Sequence, residues 1–253
     1  MKTAFITGAT SGIGKEFAAK FAAQGYRLIL TGRRADRLRQ LQEQYGPECR
    51  AIVTDLSDES QCKKLLRDVA DERIDVFINN AGFGAAGSFL ETSLDKEISM
   101  VKVNDIAMHI LFKGILRKMY RQGNGSILNV ASSAGLFPAG PYMATYYASK
   151  AYVTSLTRAV ARELKDRGSR VYVACLCPGP VNTEFNDVAD VTFALKGISA
   201  EQCVAECLDG MKKKKTVIIP TGQMKLALFF QRFAPQDLLI RMVGRQQKKK
   251  IQR

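Results

Sequence analysis

The run Thr3-Ala4-Phe5-Ile6-Thr7-Gly8-Ala9-Thr10-Ser11-Gly12-Ile13-Gly14 decides the fold. Its first residues are apolar or β-branched without a charge, as in a strand covered on both faces, and the glycines lead into an amphipathic helix beginning near Lys15. A glycine-rich turn between strand and helix offers an anion unpaired backbone N–H groups and the positive end of the helix dipole. The spacing is Gly-x3-Gly-x-Gly, not the Gly-x-Gly-x2-Gly of the common dinucleotide fingerprint. On its own the pattern leaves open a turn whose glycines serve only packing.

Six further apolar runs repeat the first: Arg27 to Thr31, Ala51 to Thr54, Val76 to Asn79, Ser126 to Ala131, Val171 to Cys177 and Thr216 to Pro220. Helix-like amphipathic segments separate them, which predicts parallel βαβ units. Because the runs are apolar throughout instead of alternating, helices should cover both faces of the sheet. The expected fold is α/β: a doubly wound parallel sheet of about seven strands with helices on both faces. At 253 residues and 46% hydrophobic, with no repeat, linker or hinge, residues 1–253 read as a single domain. Cys49, Cys62, Cys175, Cys177, Cys203 and Cys207 contain no Cys-x-x-Cys pair and have one histidine, His109, beside them. No metal site is expected, and the cysteines read as reduced, buried apolar side chains. His109 reads as packing.

Ligands of such sheets bind beyond the carboxyl ends of the strands. The second strand ends in Thr31-Gly32-Arg33-Arg34, where an NAD enzyme would usually carry an acid for the ribose 2′-hydroxyl. Two arginines instead suit a 2′-phosphate, so NADP(H) is favoured over NAD(H), with Arg33 the stronger candidate. The third strand ends in Thr54-Asp55-Leu56, where Asp55 fits either an adenine amino group or a helix cap. The fourth ends in Asn79-Asn80-Ala81-Gly82, amides and small residues that let a ring pass close to the backbone. A long helical stretch, about Asp95 to Arg121, holds Asn104, and the fifth strand ends in Ala131-Ser132-Ser133-Ala134-Gly135. In Tyr146-Tyr147-Ala148-Ser149-Lys150 the four-residue step stacks Tyr146 and Lys150 on one helical face, where an ammonium would lower the phenol's pKa. Only Tyr146 combines that step with a thirteen-residue step from Ser133.

Together these residues resemble the short-chain dehydrogenase/reductase family, from about Lys2 to Thr183. The family's Thr-Gly-x3-Gly-x-Gly stands here as Thr7 to Gly14, its Asn-Asn-Ala-Gly as Asn79 to Gly82, its Tyr-x3-Lys as Tyr146 to Lys150, and its Pro-Gly turn as Pro178-Gly179, followed by Val181-Asn182-Thr183. The resemblance implies a Rossmann fold and hydride transfer between a nicotinamide and a carbonyl or carbinol. It makes Tyr146 the general acid/base, Ser133 the hydrogen-bond donor to the reacting oxygen, Lys150 the residue that depresses the Tyr146 pKa and binds the ribose, and Asn104 the holder of a relay water. For the cofactor it implies Gly8, Thr10, Ser11, Gly12, Ile13, Gly14, Arg33, Arg34, Asp55, Leu56, Asn80, Ala81, Gly82, Tyr146, Lys150, Pro178, Gly179, Val181 and Thr183. It also implies a homodimer or homotetramer joined through the long helices around Asp95 to Arg121 and Tyr142 to Asp166.

The segments expected to wall the substrate pocket, Phe83 to Phe89, Ala134 to Met143 and Asn182 to Leu195, are rich in Phe, Leu, Met and Ala and carry few charges. An apolar carbonyl or alcohol is therefore expected, with about 182–199 as a substrate lid. The net charge of +14 is concentrated: Met211 to Arg253 carries twelve Lys or Arg against the single acid Asp237, which accounts for eleven of the fourteen. This basic C-terminal extension, about 222–253, is read as a packed helix with a solvated basic face, without specific nucleic-acid binding. Its interleaved apolar residues also suit an anionic membrane surface, a peripheral contact that is not favoured. No uninterrupted apolar run reaches the roughly 18 residues that cross a bilayer. Met1 runs almost directly into the first strand, leaving no room for a leader, so a cytoplasmic address is expected. The alternatives are a membrane-surface hydroxysteroid or 3-ketoacyl dehydrogenase and a non-enzymatic NADP(H)-sensing protein. Asn104, Ser133, Tyr146 and Lys150 together argue against the sensor, which has no use for proton-transfer groups.

Overall fold

The computed structural model describes residues 1–185 and 197–251. Along the chain come β1 (Thr3–Thr7), α1 (Gly12–Ala23), β2 (Arg27–Gly32), α2 (Ala35–Tyr45), β3 (Cys49–Val53), α3 (Glu59–Asp68), β4 (Val76–Asn79) and α4 (Leu94–Val101). A π-helical turn, Lys102–Ala107, joins α4 to α5 (Met108–Gln122), so the long helical stretch read from the sequence is one rod with a widened turn in its middle. Then follow β5 (Gly125–Val130), α6 (Ala144–Asp166), β6 (Val171–Leu176), β7 (Val181–Asn182), β8 (Ile198–Ser199), α7 (Ala200–Lys212), β9 (Val217–Ile218), α8 (Gly222–Phe230) and α9 (Gln236–Ile251).

Seven strands form one sheet in the order β3-β2-β1-β4-β5-β6-β9, every neighbour parallel, which is the doubly wound Rossmann arrangement expected. The strand period of two explains why the runs are apolar throughout. In β1, Ala4 and Ile6 enter a core with Phe17 and Phe21 of α1, whereas Phe5 enters the opposite core with Leu111 and Phe112 of α5. β2 and β4 divide likewise: Leu28, Leu30 and Ile78 face the first core, Ile29 and Phe77 the second. Burying one such side chain contributes about 1.5–3 kcal/mol, so both helical layers are held to the sheet by many equivalent contacts. All six cysteines are unbridged and buried in these cores.

One feature was not anticipated. β7 and β8 pair in parallel as a separate two-stranded sheet beside the carboxyl edge of the main one; two-residue strands carry no readable period. The expected lid over 182–199 lies largely outside the described residues, which omit 186–196.

Candidate active site

The order of β1 and β4 in the sheet opens a cleft at their carboxyl ends, and one cavity of about 990 Å³ runs along it from the glycine-rich turn to Tyr146 and onward to α8 and α9. At its floor, α6 presents Tyr146 and Lys150 on one face, both almost fully buried. The Lys150 Nζ donates to the carbonyl of Val130 at 3.1 Å and sits 5.8 Å from the centre of the Tyr146 ring.

The serine assignment needs correction. The hydroxyl that draws the Tyr146 pKa down belongs to Ser132, not Ser133. Ser132 is still extended, with φ −167° and ψ 161°, and accepts from the Ala134 N–H, while Ser133 opens the short 3-10 turn Ser133–Leu136 and donates its N–H to Pro178 O at 2.8 Å. The backbone leaves the extended conformation between the two residues, so their side chains take different directions and a one-residue error in counting exchanges the two hydroxyls.

The expected electrostatics also change. Burial dominates at Tyr146 and pushes its pKa up to about 12, opposed by the Ser132 hydroxyl. The ammonium is bound to Val130 and has its own pKa lowered to about 8 by burial, against the pull of Asp105. Asp105 in turn is raised to about 6 by burial, and its Oδ1 is buried without a partner. At neutral pH the phenol is therefore a proton donor and the ammonium is charged.

Asn104 lies in the π turn, which places it against the loop following β4. Its carboxamide is consumed by protein: Nδ2 donates to Phe83 O at 2.9 Å and Ser149 Oγ at 3.0 Å, and Oδ1 accepts from Phe83 N at 3.0 Å. The side chain thus clamps the loop after Gly82. A Cβ added to Gly82 would stand 2.9 Å from Asn104 Oδ1 and 3.2 Å from Lys150 Nζ, so only a glycine leaves that part of the cleft open.

At the other end, Gly8 and Gly12 adopt φ of +63° and +51°, which L side chains rarely take. Asn80 fixes the turn, its Nδ2 donating to Thr7 O at 2.9 Å and Gly8 O at 3.2 Å, while the Asn80 and Ala81 N–H groups donate to Thr7 Oγ1. Ser11 precedes α1 without a side-chain cap, leaving the first-turn N–H groups without a side-chain partner beside Thr10, Ile13 and Gly14. Asp55 is engaged by Ser57 through one carboxylate oxygen, and the cap of α3 is Asp58. Leu56, Pro178, Gly179, Val181 and Thr183 all line the cleft. Arg33 and Arg34 behave differently. Arg34 is committed to Thr10 Oγ1 and O and to Glu184, which also binds Arg37 at 2.6 Å, whereas Arg33 is exposed on the cleft wall with no ion pair among the described residues. Glu184 had no signal in the sequence, since its partners lie about 150 residues away.

An open glycine cradle, an uncapped helix start and a guanidinium without an ion pair among the described residues at one end, with a buried lysine and phenol at the other, fit a nicotinamide dinucleotide. Among the described residues no cluster of His, Cys, Asp and Glu would hold a metal. His109 pairs with Tyr152, its Nδ1 2.6 Å from the hydroxyl, away from this cleft. The C-terminal helices reach the cavity through residues such as Met224, Phe230, Leu239, Met242 and Val243, none of which was anticipated as lining. Gln247 Nε2 donates to the Tyr147 hydroxyl at 2.8 Å, tying α9 to α6 beside Tyr146.

Fold and cleft define a nicotinamide-dependent oxidoreductase. Comparison with known proteins narrows the class: a family model described as short chain dehydrogenase matches residues 2–192. A protein of Aquarana catesbeiana named dehydrogenase/reductase SDR family member 6 is 35% identical over 183 residues, covering 72% of each chain. A short-chain dehydrogenase from Sphingobium yanoikuyae, solved in complex with NADPH, superposes with a TM-score of 0.83 at 28% identity, covering 94% of this chain and 95% of that one. A short chain dehydrogenase/reductase from Burkholderia phymatum, solved in complex with NAD, gives 0.83 at 25% identity over 92% and 93%. The chain belongs to the short-chain dehydrogenase/reductase family.

Proposed function

We propose that the protein is an NADP(H)-dependent reductase or dehydrogenase that interconverts an apolar ketone and its secondary alcohol, with Tyr146 as the general acid/base. The observation that carries this reading is the burial of Tyr146 and Lys150 in a cavity whose far side is apolar, with Ser132 beside the phenol. Gly8 to Gly14 would take the pyrophosphate, Arg33 the 2′-phosphate, and Lys150 the nicotinamide ribose. Bound there, the cofactor supplies or accepts the hydride.

In reduction, the Tyr146 hydroxyl gives its proton to the carbonyl oxygen while Ser132 donates a hydrogen bond to the same oxygen as negative charge builds on it. In oxidation, both moves reverse. Lys150, charged below about pH 8, stabilises the phenolate left behind. Phe83, Phe137, Met143 and Phe185 offer no ionic partner, which supports an apolar substrate over a phosphorylated one. The test is NADPH oxidation across apolar ketones of increasing size, repeated with NADH. Turnover with NADPH and an apolar ketone supports the reading; equal preference for NADH removes Arg33 from it.

Assembly as a homodimer or homotetramer is part of the same reading. Leu94, Ile98 and Ile106 on the rod formed by α4 and α5, and Tyr152 on α6, are exposed apolar or aromatic side chains on the helices expected to join subunits. Light scattering of the purified chain decides it, a monomer being the contrary result.

A further inference from the structure

The cavity ends against α8 and α9, and these helices with the turn between them leave six large apolar side chains in solvent: Leu226, Phe229, Phe230, Phe233, Leu238 and Met242. Phe233 is 74% exposed and Phe230 58%. Phe229 meets Phe230 and Phe233 edge to face, at 5.6 Å between centroids in each case, so the rings form one patch. Phe230 and Met242 also line the cavity, so its wall and the patch share residues. Around the patch Lys225, Arg232, Arg241, Arg245 and Lys248 are all exposed, and among the described residues none is paired with an acid. Asp237 is the only acid of the segment.

We propose that this face docks on an anionic lipid bilayer, and that the substrate is a lipid-like ketone or alcohol entering the cavity past Phe230 and Met242. The docking stands by itself; the substrate class rests on the oxidoreductase reading above. Exposed aromatic and aliphatic side chains rimmed by unpaired cations suit helices lying at the headgroup level, with rings in the acyl boundary and ammonium and guanidinium groups on anionic headgroups. Charge selects this occupant over a second copy of the chain: a two-fold contact would bring two such cationic rims together, whereas an anionic surface neutralises them. Among the described residues no helix is long and apolar enough to cross a membrane, so the contact is peripheral.

The experiment is co-sedimentation of the full chain with vesicles of equal parts phosphatidylserine and phosphatidylcholine, against pure phosphatidylcholine, at low and high salt. Anionic vesicles should bind at least about tenfold more tightly, with salt weakening the difference. The double variant Phe229→Ser/Phe233→Ser, neither residue lining the cavity, should lose about tenfold or more of that affinity while reducing a small water-soluble ketone at the wild-type rate. The charge reversal Arg232→Glu/Arg241→Glu should do the same, which keeps the test decisive if the phenylalanine variant misfolds by circular dichroism. Equal binding to both vesicle types, undiminished binding by both variants, or a wild-type dimer that the phenylalanine variant dissolves would overturn the docking. Vesicle binding without turnover of any ketone would sink the oxidoreductase reading and leave the docking intact.

Discussion

The Lys150 ammonium is fastened to the sheet: its Nζ donates to the carbonyl of Val130, the last residue of β5, at 3.1 Å. Its position therefore does not depend on the phenol. Replacing Tyr146 with Phe should lower turnover by about 10²–10⁴-fold while the NADPH dissociation constant, read by fluorescence, stays within a few-fold of wild type. Near-normal turnover would remove Tyr146 from the chemistry. Lys150→Met should instead weaken both turnover and NADPH binding.

Ser132 and Ser133 are separable by mutation. Loss of one donor to a developing oxyanion costs roughly 10²–10³-fold in kcat, so Ser132→Ala should fall in that range. Ser133→Ala should stay within a few-fold, because the Ser133 contact to Pro178 uses its backbone N–H. Steady-state kinetics of the two variants decide the assignment, and the reverse order would restore Ser133.

The pH dependence follows from two buried groups. Lys150 has its pKa lowered to about 8 by burial, so carbonyl reduction should decline as pH rises through about 8 and the ammonium loses its charge, while Tyr146, at about 12, stays protonated. Ionised Asp105 raises the Lys150 pKa. Asp105→Asn should therefore move the alkaline limb to lower pH, and a kcat/KM profile with an unmoved limb would show that Asp105 does not act on Lys150.

Cofactor choice should respond unequally to the two arginines. Arg33 is exposed on the cleft wall, so Arg33→Ala should reduce kcat/KM for NADPH by about tenfold or more, the loss of a charge-assisted pair, and leave NADH almost unchanged. Arg34 is held by Thr10 and Glu184. Its replacement should loosen the segment after β7 and affect both cofactors alike.

Gly135 supports the site from below. A Cβ there would overlap the backbone carbonyl of Lys150 and come 2.7 Å from Thr154 Oγ1. Gly135→Ala should cost about 1–3 kcal/mol by overpacking, read as a lower urea midpoint, together with lost turnover as α6 is pushed away.

The sheet, its parallel order and the outline of the cleft were legible because each strand carries an uninterrupted apolar run and each strand end a short polar or glycine signal. Tyr146 and Lys150 were equally legible, since a four-residue step on a helix fixes a shared face. Their electrostatics were not: spacing brings the ammonium and phenol near each other, but burial, opposed by Ser132 at the phenol and by Asp105 at the ammonium, decides the pKa of each. Choosing Ser132 over Ser133 required knowing where extended backbone stops and the turn begins, a single-residue matter that composition does not report. Asn104 was found as an oddity in a helix, yet its partner Phe83 comes from a loop 21 residues earlier.

By itself, then, the sequence determined a doubly wound parallel sheet with a ligand cleft at its strand ends, because local periodicity and turn chemistry are properties of neighbours along the chain, and its motifs carried the resemblance to the short-chain dehydrogenase/reductase family. The tertiary structure alone decided which serine adjoins the phenol, which arginine is held by Glu184, and that the C-terminal helices close one end of the cavity while leaving phenylalanines in solvent. Those outcomes depend on contacts between residues up to 150 apart, such as Arg34 with Glu184, and on the desolvation that packing imposes on Tyr146 and Lys150.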